Sequence, residues 1–117
     1  MMKQLCLLGV LSCGFACARP PPAEEPEYQG QSYREALHTI CKVDQLAGLD
    51  AEGDPLEKSQ RREDWLSERV KNPDAIYFRT MLKVQSAGEK SASLRDEAKK
   101  AGLESCPLAD TIDQGEL

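Results

Sequence analysis

The chain has 117 residues, of which 40% are hydrophobic, 30% charged and only 5% aromatic, and its formal net charge is −5. That length supports one domain with one modest core. The acidic balance excludes a nucleic-acid protein, where a basic footprint supplies most of the affinity, and it disfavours electrostatic docking on anionic lipid.

The first eighteen residues read as an export signal. Lys3 precedes the apolar run Leu5, Cys6, Leu7, Leu8, Gly9, Val10 and Leu11. The uncharged stretch ends at Ala18, and Arg19 with Pro20, Pro21 and Pro22 closes it. A charged start, a short apolar centre and a small-residue end define a secretory signal. A membrane-spanning helix needs roughly 20 apolar residues, more than this run supplies. Three cleavage points compete. Val10-Leu11-Ser12-Cys13 has the form of a bacterial lipobox, and Gly14-Phe15-Ala16-Cys17 is a second such site. Ala16-Cys17-Ala18 is an ordinary A-x-A site that would release Arg19. Cleavage before Cys13 leaves a very short apolar core. It also strands Cys17 beside Cys41 and Cys106, and an odd cysteine is a liability in an exported protein. The signal is therefore assigned to residues 1–16, with Cys17 lipidated, Cys13 as the alternative and plain secretion third. Acyl chains on that cysteine would hold the protein to a membrane by about 0.8 kcal/mol per buried methylene.

From Arg19 onward the chain carries fourteen Lys and Arg against twenty Asp and Glu, net −6. Residues 17–31 are rich in proline and glutamate, with Pro20, Pro21, Pro22, Glu24, Glu25, Pro26 and Glu27. Prolines keep a chain extended, and too little apolar surface is present to bury, so this segment reads as a disordered tether.

A helical domain is expected over 32–112. The first helix, 33–47, begins with a capping box of Ser32 and Glu35 and stops at Gly48. Its stripe is Tyr33, Leu37, Ile40, Cys41 and Asp44. The second starts at Pro55 behind the cap Asp54 and runs to Lys71, with Leu56, Trp65, Leu66 and Val70 as a weak apolar face. The third, 73–84, has Asn72 as cap and Pro73 at its first position, and Pro73 forces a corner at Asn72. It is the most apolar segment, with Ile76, Tyr77, Phe78, Met81, Leu82 and Val84. Two apolar faces predict a central helix touching neighbours on both sides. The fourth opens with Ser86 and Glu89 and ends at Gly102, with Leu94, Ala98 and Ala101 on its core line. Lys99 and Lys100 suit the dipole of its last turn. A short turn or helix over 107–112 and a loose tail over 113–117 complete the chain. No segment alternates long enough for a convincing strand. The fold class is thus all-α, a bundle of about four helices.

Two cysteines in an exported domain predict a disulfide, Cys41–Cys106, closing a loop of 65 residues and worth roughly 4 kcal/mol. An alternative takes His38 and Cys41, three apart on one helix face, with Cys106 as a third ligand for zinc or copper and Asp44 one turn further on. A redox role for the same residues belongs to that alternative. No C-x-x-C, H-E-x-x-H, G-x-S-x-G or glycine-rich phosphate loop is present, so no enzyme and no cofactor are expected. The carboxylate pairs Glu63/Asp64 and Asp96/Glu97 are adjacent and diverge on a helix. The aromatics left after the signal, Tyr28, Tyr33, Trp65, Tyr77 and Phe78, are too few to predict an aromatic-lined pocket. Arg61, Arg62, Trp65 and Arg69 follow helical spacing and form a candidate partner patch, since Trp and Arg are common binding anchors. The competing arrangement has Trp65 capping the core while the arginines pair with Glu63 and Glu68. A protease- or lysozyme-inhibitor role would need a rigid exposed loop, and 48–54 is its sole candidate.

The run Ala101-Gly102-Leu103-Glu104-Ser105-Cys106-Pro107-Leu108-Ala109-Asp110, a cysteine in the first helix and the lipobox-like signal together resemble small lipoproteins of Gram-negative bacteria that carry no assigned activity. The resemblance implies a lipid-anchored, periplasm-facing, disulfide-bonded protein and lends no catalytic residues. The expectation is a non-enzymatic envelope lipoprotein, a structural or interaction module that meets the membrane through its anchor and an envelope protein through its domain.

Overall fold

Residues 27–28, 30–49 and 53–115 are described by the computed structural model. The export signal, both candidate lipidation cysteines and the tether up to residue 26 lie outside the described residues.

The described chain opens with a two-stranded antiparallel hairpin. β1 (Glu27–Tyr28) pairs with β2 (Gln31–Ser32), Glu27 opposite Ser32 and Tyr28 opposite Gln31. Six helices follow: α1 (Tyr33–Cys41), α2 (Val43–Leu46), α3 (Pro55–Arg69), α4 (Pro73–Leu82), α5 (Ala87–Lys100) and α6 (Pro107–Asp113). The local sequence sets where they begin. Ser32 Oγ accepts from Glu35 N, and Glu35 Oε1 accepts from Ser32 N, both at 3.1 Å. Ser86 and Glu89 build the same capping box on α5. Asp54 caps α3 and Asn72 caps α4, each followed by proline at the first turn. Caps of this kind contribute about 1 kcal/mol each. α5 stops at Gly102, whose φ of +82° no β-carbon tolerates without strain. There Leu103 N donates to Ala98 O at 2.8 Å and Gly102 N to Lys99 O at 3.1 Å. That pair of bonds is a Schellman closure.

Two expectations about the first and third predicted helices are corrected. The single helix over 33–47 is two helices, because Lys42 leaves helical geometry at φ −107°, ψ 22°. The central helix is α1 and not α4. Ala36, Leu37, Ile40 and Cys41 are at most 1% exposed, and α1 contacts α3, α4, α5, α6 and β2. α4 packs chiefly on α1, buries only Ala75 and Leu82, and seats Phe78 part-way. A helix met from one side hides one stripe, so its second apolar face remains at the surface.

Cys41 at the end of α1 and Cys106 just before α6 form a disulfide, Cα to Cα 4.6 Å. It lies inside the core with Leu37, Ile40, Val43, Leu66, Leu94, Ala109 and Ile112. The bond pins α6 to α1, and α6 packs most extensively on α5. Arg95 on α5 also binds Asp110 and Asp113 of α6, at 2.8 and 2.6 Å. Asp113, assigned to the loose tail, thus ends a helix and is held by an ion pair.

Gln31, the last residue assigned to the tether, belongs to the fold. Its Nε2 donates to Arg69 O at 2.8 Å, and its Oε1 accepts from Lys71 N at 2.7 Å and Asn72 N at 2.9 Å. Asn72 Nδ2 returns a bond to Gln31 O at 3.2 Å. One glutamine thus satisfies the backbone groups that the α3–α4 corner leaves open. The architecture is a compact all-α domain closed by the Cys41–Cys106 disulfide, with a short hairpin at its entry.

Candidate functional site

The outward side of α4 is the most unusual surface of the domain. Ile76 is 43% exposed, Tyr77 67%, Met81 42% and Val84, just past the helix, 82%. At 100° per residue these side chains fall on the arc opposite Ala75 and Leu82. Solvent-exposed apolar groups are ordinary when scattered, but here four fall within nine residues, three on α4 and one just past it.

Beside that face runs a groove of 480 Å³ between α4, the start of α1 and the last turns of α5. Tyr33, Tyr77, Phe78 and Met81 form its apolar walls, and Asp74 and Glu97 supply its charge. Three of the five aromatics outside the signal therefore meet in one place. The count of aromatics gave no sign of this, because they come from helices distant in sequence. Tyr33 Oη donates to Glu97 Oε1 at 2.6 Å across 64 residues. Burial, the bond to Glu97 and the negative charges of Glu97 and Asp74 push the Tyr33 phenol well above its ordinary value of 10. With Asp74 and Glu97 in its walls, the groove carries negative charge. Glu97 Oε2 also lies 3.5 Å from Lys100 Nζ, an exposed pair of little weight. Asp74 sits in the first turn of α4, where its charge suits the helix dipole, and among the described residues it forms no salt bridge.

The expected patch of Arg61, Arg62, Trp65 and Arg69 does not form one surface. Arg62 is 3% exposed and turns inward, its Nε and Nη2 donating to Asp44 Oδ1 and Oδ2 at 2.7 and 2.9 Å. Successive residues on a helix point about 100° apart, so Arg61 stays in solvent while Arg62 enters the interior. Trp65 packs half-buried against the core, and the Arg69 guanidinium stacks over its ring at 4.3 Å. Arg69 also pairs with Glu68 at 3.2 Å. Glu63 pairs instead with Arg79 of α4 at 2.6 Å. The sequence did hold a signal for the inward pair. Asp44 continues the apolar stripe of the first helix, and Arg62 stands four residues before the buried Leu66. Arg62 lines a small, partly open cavity of 90 Å³ whose rim includes Glu63 and Lys83, and among the described residues its Nη1 has no hydrogen-bond partner.

For the metal alternative, the structure joins Cys41 to Cys106 through sulfur, so neither offers a thiolate. His38 is exposed on α1 and borders a shallow groove with Arg34 and Leu103. Asp44 is engaged by Arg62. Among the described residues no three His, Cys, Asp or Glu side chains converge as a metal site. The 48–54 loop is described only in part, since 50–52 lie outside the described residues.

In class, this is a disulfide-closed helical domain with one apolar helix face turned outward and an acidic aromatic groove at its side. Compared with known proteins, the chain matches no family model, no curated protein and no solved structure. Among the described residues no helix is long and apolar enough to cross a membrane. The internal disulfide is consistent with an oxidising compartment outside the cytoplasm.

Proposed function

We propose that this protein is a non-enzymatic interaction module of the bacterial envelope, lipid-anchored at Cys17, that docks a protein partner on the outward face of α4. The observation that carries this reading is the exposure of Ile76, Tyr77 and Met81 on α4 and of Val84 just past it. Burying two or three such side chains in a partner is worth about 1.5–3 kcal/mol each before the costs of association, enough for a specific encounter. The buried disulfide and the lipobox-like signal support the periplasm-facing location.

The test is site-specific photo-crosslinking in a Gram-negative host expressing the full chain. A cross-linker at Val84 should give a discrete heterologous adduct that a cross-linker at Gln60, exposed on α3, does not. Ile76→Glu should abolish that adduct without unfolding the domain. A ladder equal at both positions, or an adduct of the chain with itself, would overturn the reading. Intact mass of the membrane fraction should show a chain beginning at Cys17 with acyl groups. A mass starting at Arg19 would remove the anchor.

A further inference from the structure

We propose that the groove beside α4 is a recognition site for an organic cation, the guanidinium or ammonium of an arginine or lysine side chain presented by the docked partner. This inference rests on α4 being a docking face. The composition of the groove carries it. Its walls hold the aromatic side chains of Tyr33, Tyr77 and Phe78 and the polarizable thioether of Met81. Asp74 and Glu97 stand in the same walls, and no lysine or arginine is among the lining residues. Aromatic faces with nearby carboxylates suit a cation that carries apolar surface. The ring quadrupoles attract the charge while the rings cover the hydrocarbon stem.

Two further features fit the same ligand. The Tyr33–Glu97 bond holds one carboxylate oxygen in place before any ligand arrives, so little ordering cost falls on binding. Among the described residues Asp74 makes no salt bridge, and its exposed side chain can meet an incoming charge. The volume of 480 Å³ exceeds what one arginine side chain needs and admits its backbone and flanking residues as well. The adjoining Ile76 and Val84 lie outside the groove, on the face where the flanking apolar residues of such a segment would rest. Net charge agrees, since an acidic domain selects basic segments over acidic ones. The same chemistry is also offered by a free quaternary ammonium compound, and the experiment separates the two sources.

The folded full chain, labelled at its methionine methyls, is titrated with three probes while the Met81 methyl resonance is followed. The first is a blocked pentapeptide Ala-Leu-Arg-Leu-Ala, the second the same peptide with neutral citrulline for arginine, and the third choline. The arginine peptide should shift Met81 saturably and the citrulline peptide should bind at least fivefold more weakly. Asp74→Asn with Glu97→Gln should erase that preference, a loss of about fivefold to tenfold in affinity for two partly exposed charges. Tyr77→Ala should weaken binding with the fold intact, since Tyr77 is mostly exposed. Ile76→Glu, outside the groove, should leave the shift in place while removing the Val84 cross-link. Saturable binding of choline with none of the arginine peptide would keep the cation site and make a free quaternary ammonium its ligand. Equal binding of the arginine and citrulline peptides, or no Met81 shift with any probe, overturns the cation site. If the Val84 adduct persists in that case, the docking face stands and the groove plays no part in it.

Discussion

Asp44 and Arg62 meet through two parallel hydrogen bonds, with the arginine side chain 4% exposed and the aspartate 27%. A pair so enclosed adds little net stability when made, yet breaking it leaves a charge in the interior. Asp44→Ala is therefore expected to destabilise the domain by about 3 kcal/mol in a urea denaturation series. Adding Arg62→Met should recover most of that loss, because the remaining side chain is apolar and near in volume. A double variant no better than Asp44→Ala would show that the cost is packing and not charge. Tyr33 gives a second prediction at this scale. Its phenol binds its proton more tightly folded than unfolded, from burial first and Glu97 second. The stability it contributes is thus complete below about pH 10 and falls as pH rises above that value. Absorbance titration at alkaline pH should show one tyrosine ionising late, and Tyr33→Phe should remove that step. Glu97→Gln should shift it only part-way, since burial is the larger cause.

At the scale of elements, the α3–α4 corner is held by its own Asn72 and by Gln31 from the entry hairpin. Asn72 is fully buried, its Oδ1 accepting from Asp74 N at 3.0 Å and Ala75 N at 3.2 Å while its Nδ2 reaches Gln31 O. Pro73 fixes where the helix starts, and Asn72 satisfies the donors that start exposes. Asn72→Ala removes a cap and opens a buried carbonyl, so a loss of about 2 kcal/mol is expected by thermal unfolding. Gln31→Ala should cost a similar amount, because it leaves three backbone groups without their partner. A neutral Gln31→Ala would mean that the hairpin merely lies against the corner. α4 itself illustrates the difference between a helix that is apolar and one that is central. Its composition made it the obvious core helix, yet α1 has the wider buried arc and the contacts. What composition cannot say is how many neighbours a helix has.

For the molecule as a whole, the disulfide joins the central helix to the last one. Cross-linking residues 65 apart restricts the unfolded chain by about 4 kcal/mol, a large share of the ~5–15 kcal/mol typical of a domain. Cys41→Ser with Cys106→Ser should lower the urea midpoint accordingly, and a reductant should do the same to the native chain. An unchanged midpoint under reduction would mean that α6 is held by its packing on α5 and by the Arg95 ion pairs alone. The small core explains why such a staple matters. Among the described residues fifteen apolar side chains make it, in a chain of which 30% is charged.

The sequence by itself determined the helical class, the capped helix starts and the disulfide, but not the break that starts α2. Those features depend on residues near one another in the chain, or on a parity of cysteines that geometry did not have to supply. Ser32 with Glu35, Asp54 before Pro55, Asn72 before Pro73 and Ser86 with Glu89 all act within one turn, so spacing alone exposes them. Tertiary structure decided the rest. It turned Arg62 inward to Asp44, recruited Gln31 from the tether to the α3–α4 corner and left the second face of α4 in solvent. It also gathered Tyr33, Tyr77, Phe78 and Glu97 into one groove from three helices. Each of these depends on which elements become neighbours and at what angle. That is settled by how all the buried stripes share a single core, and no window of sequence contains it.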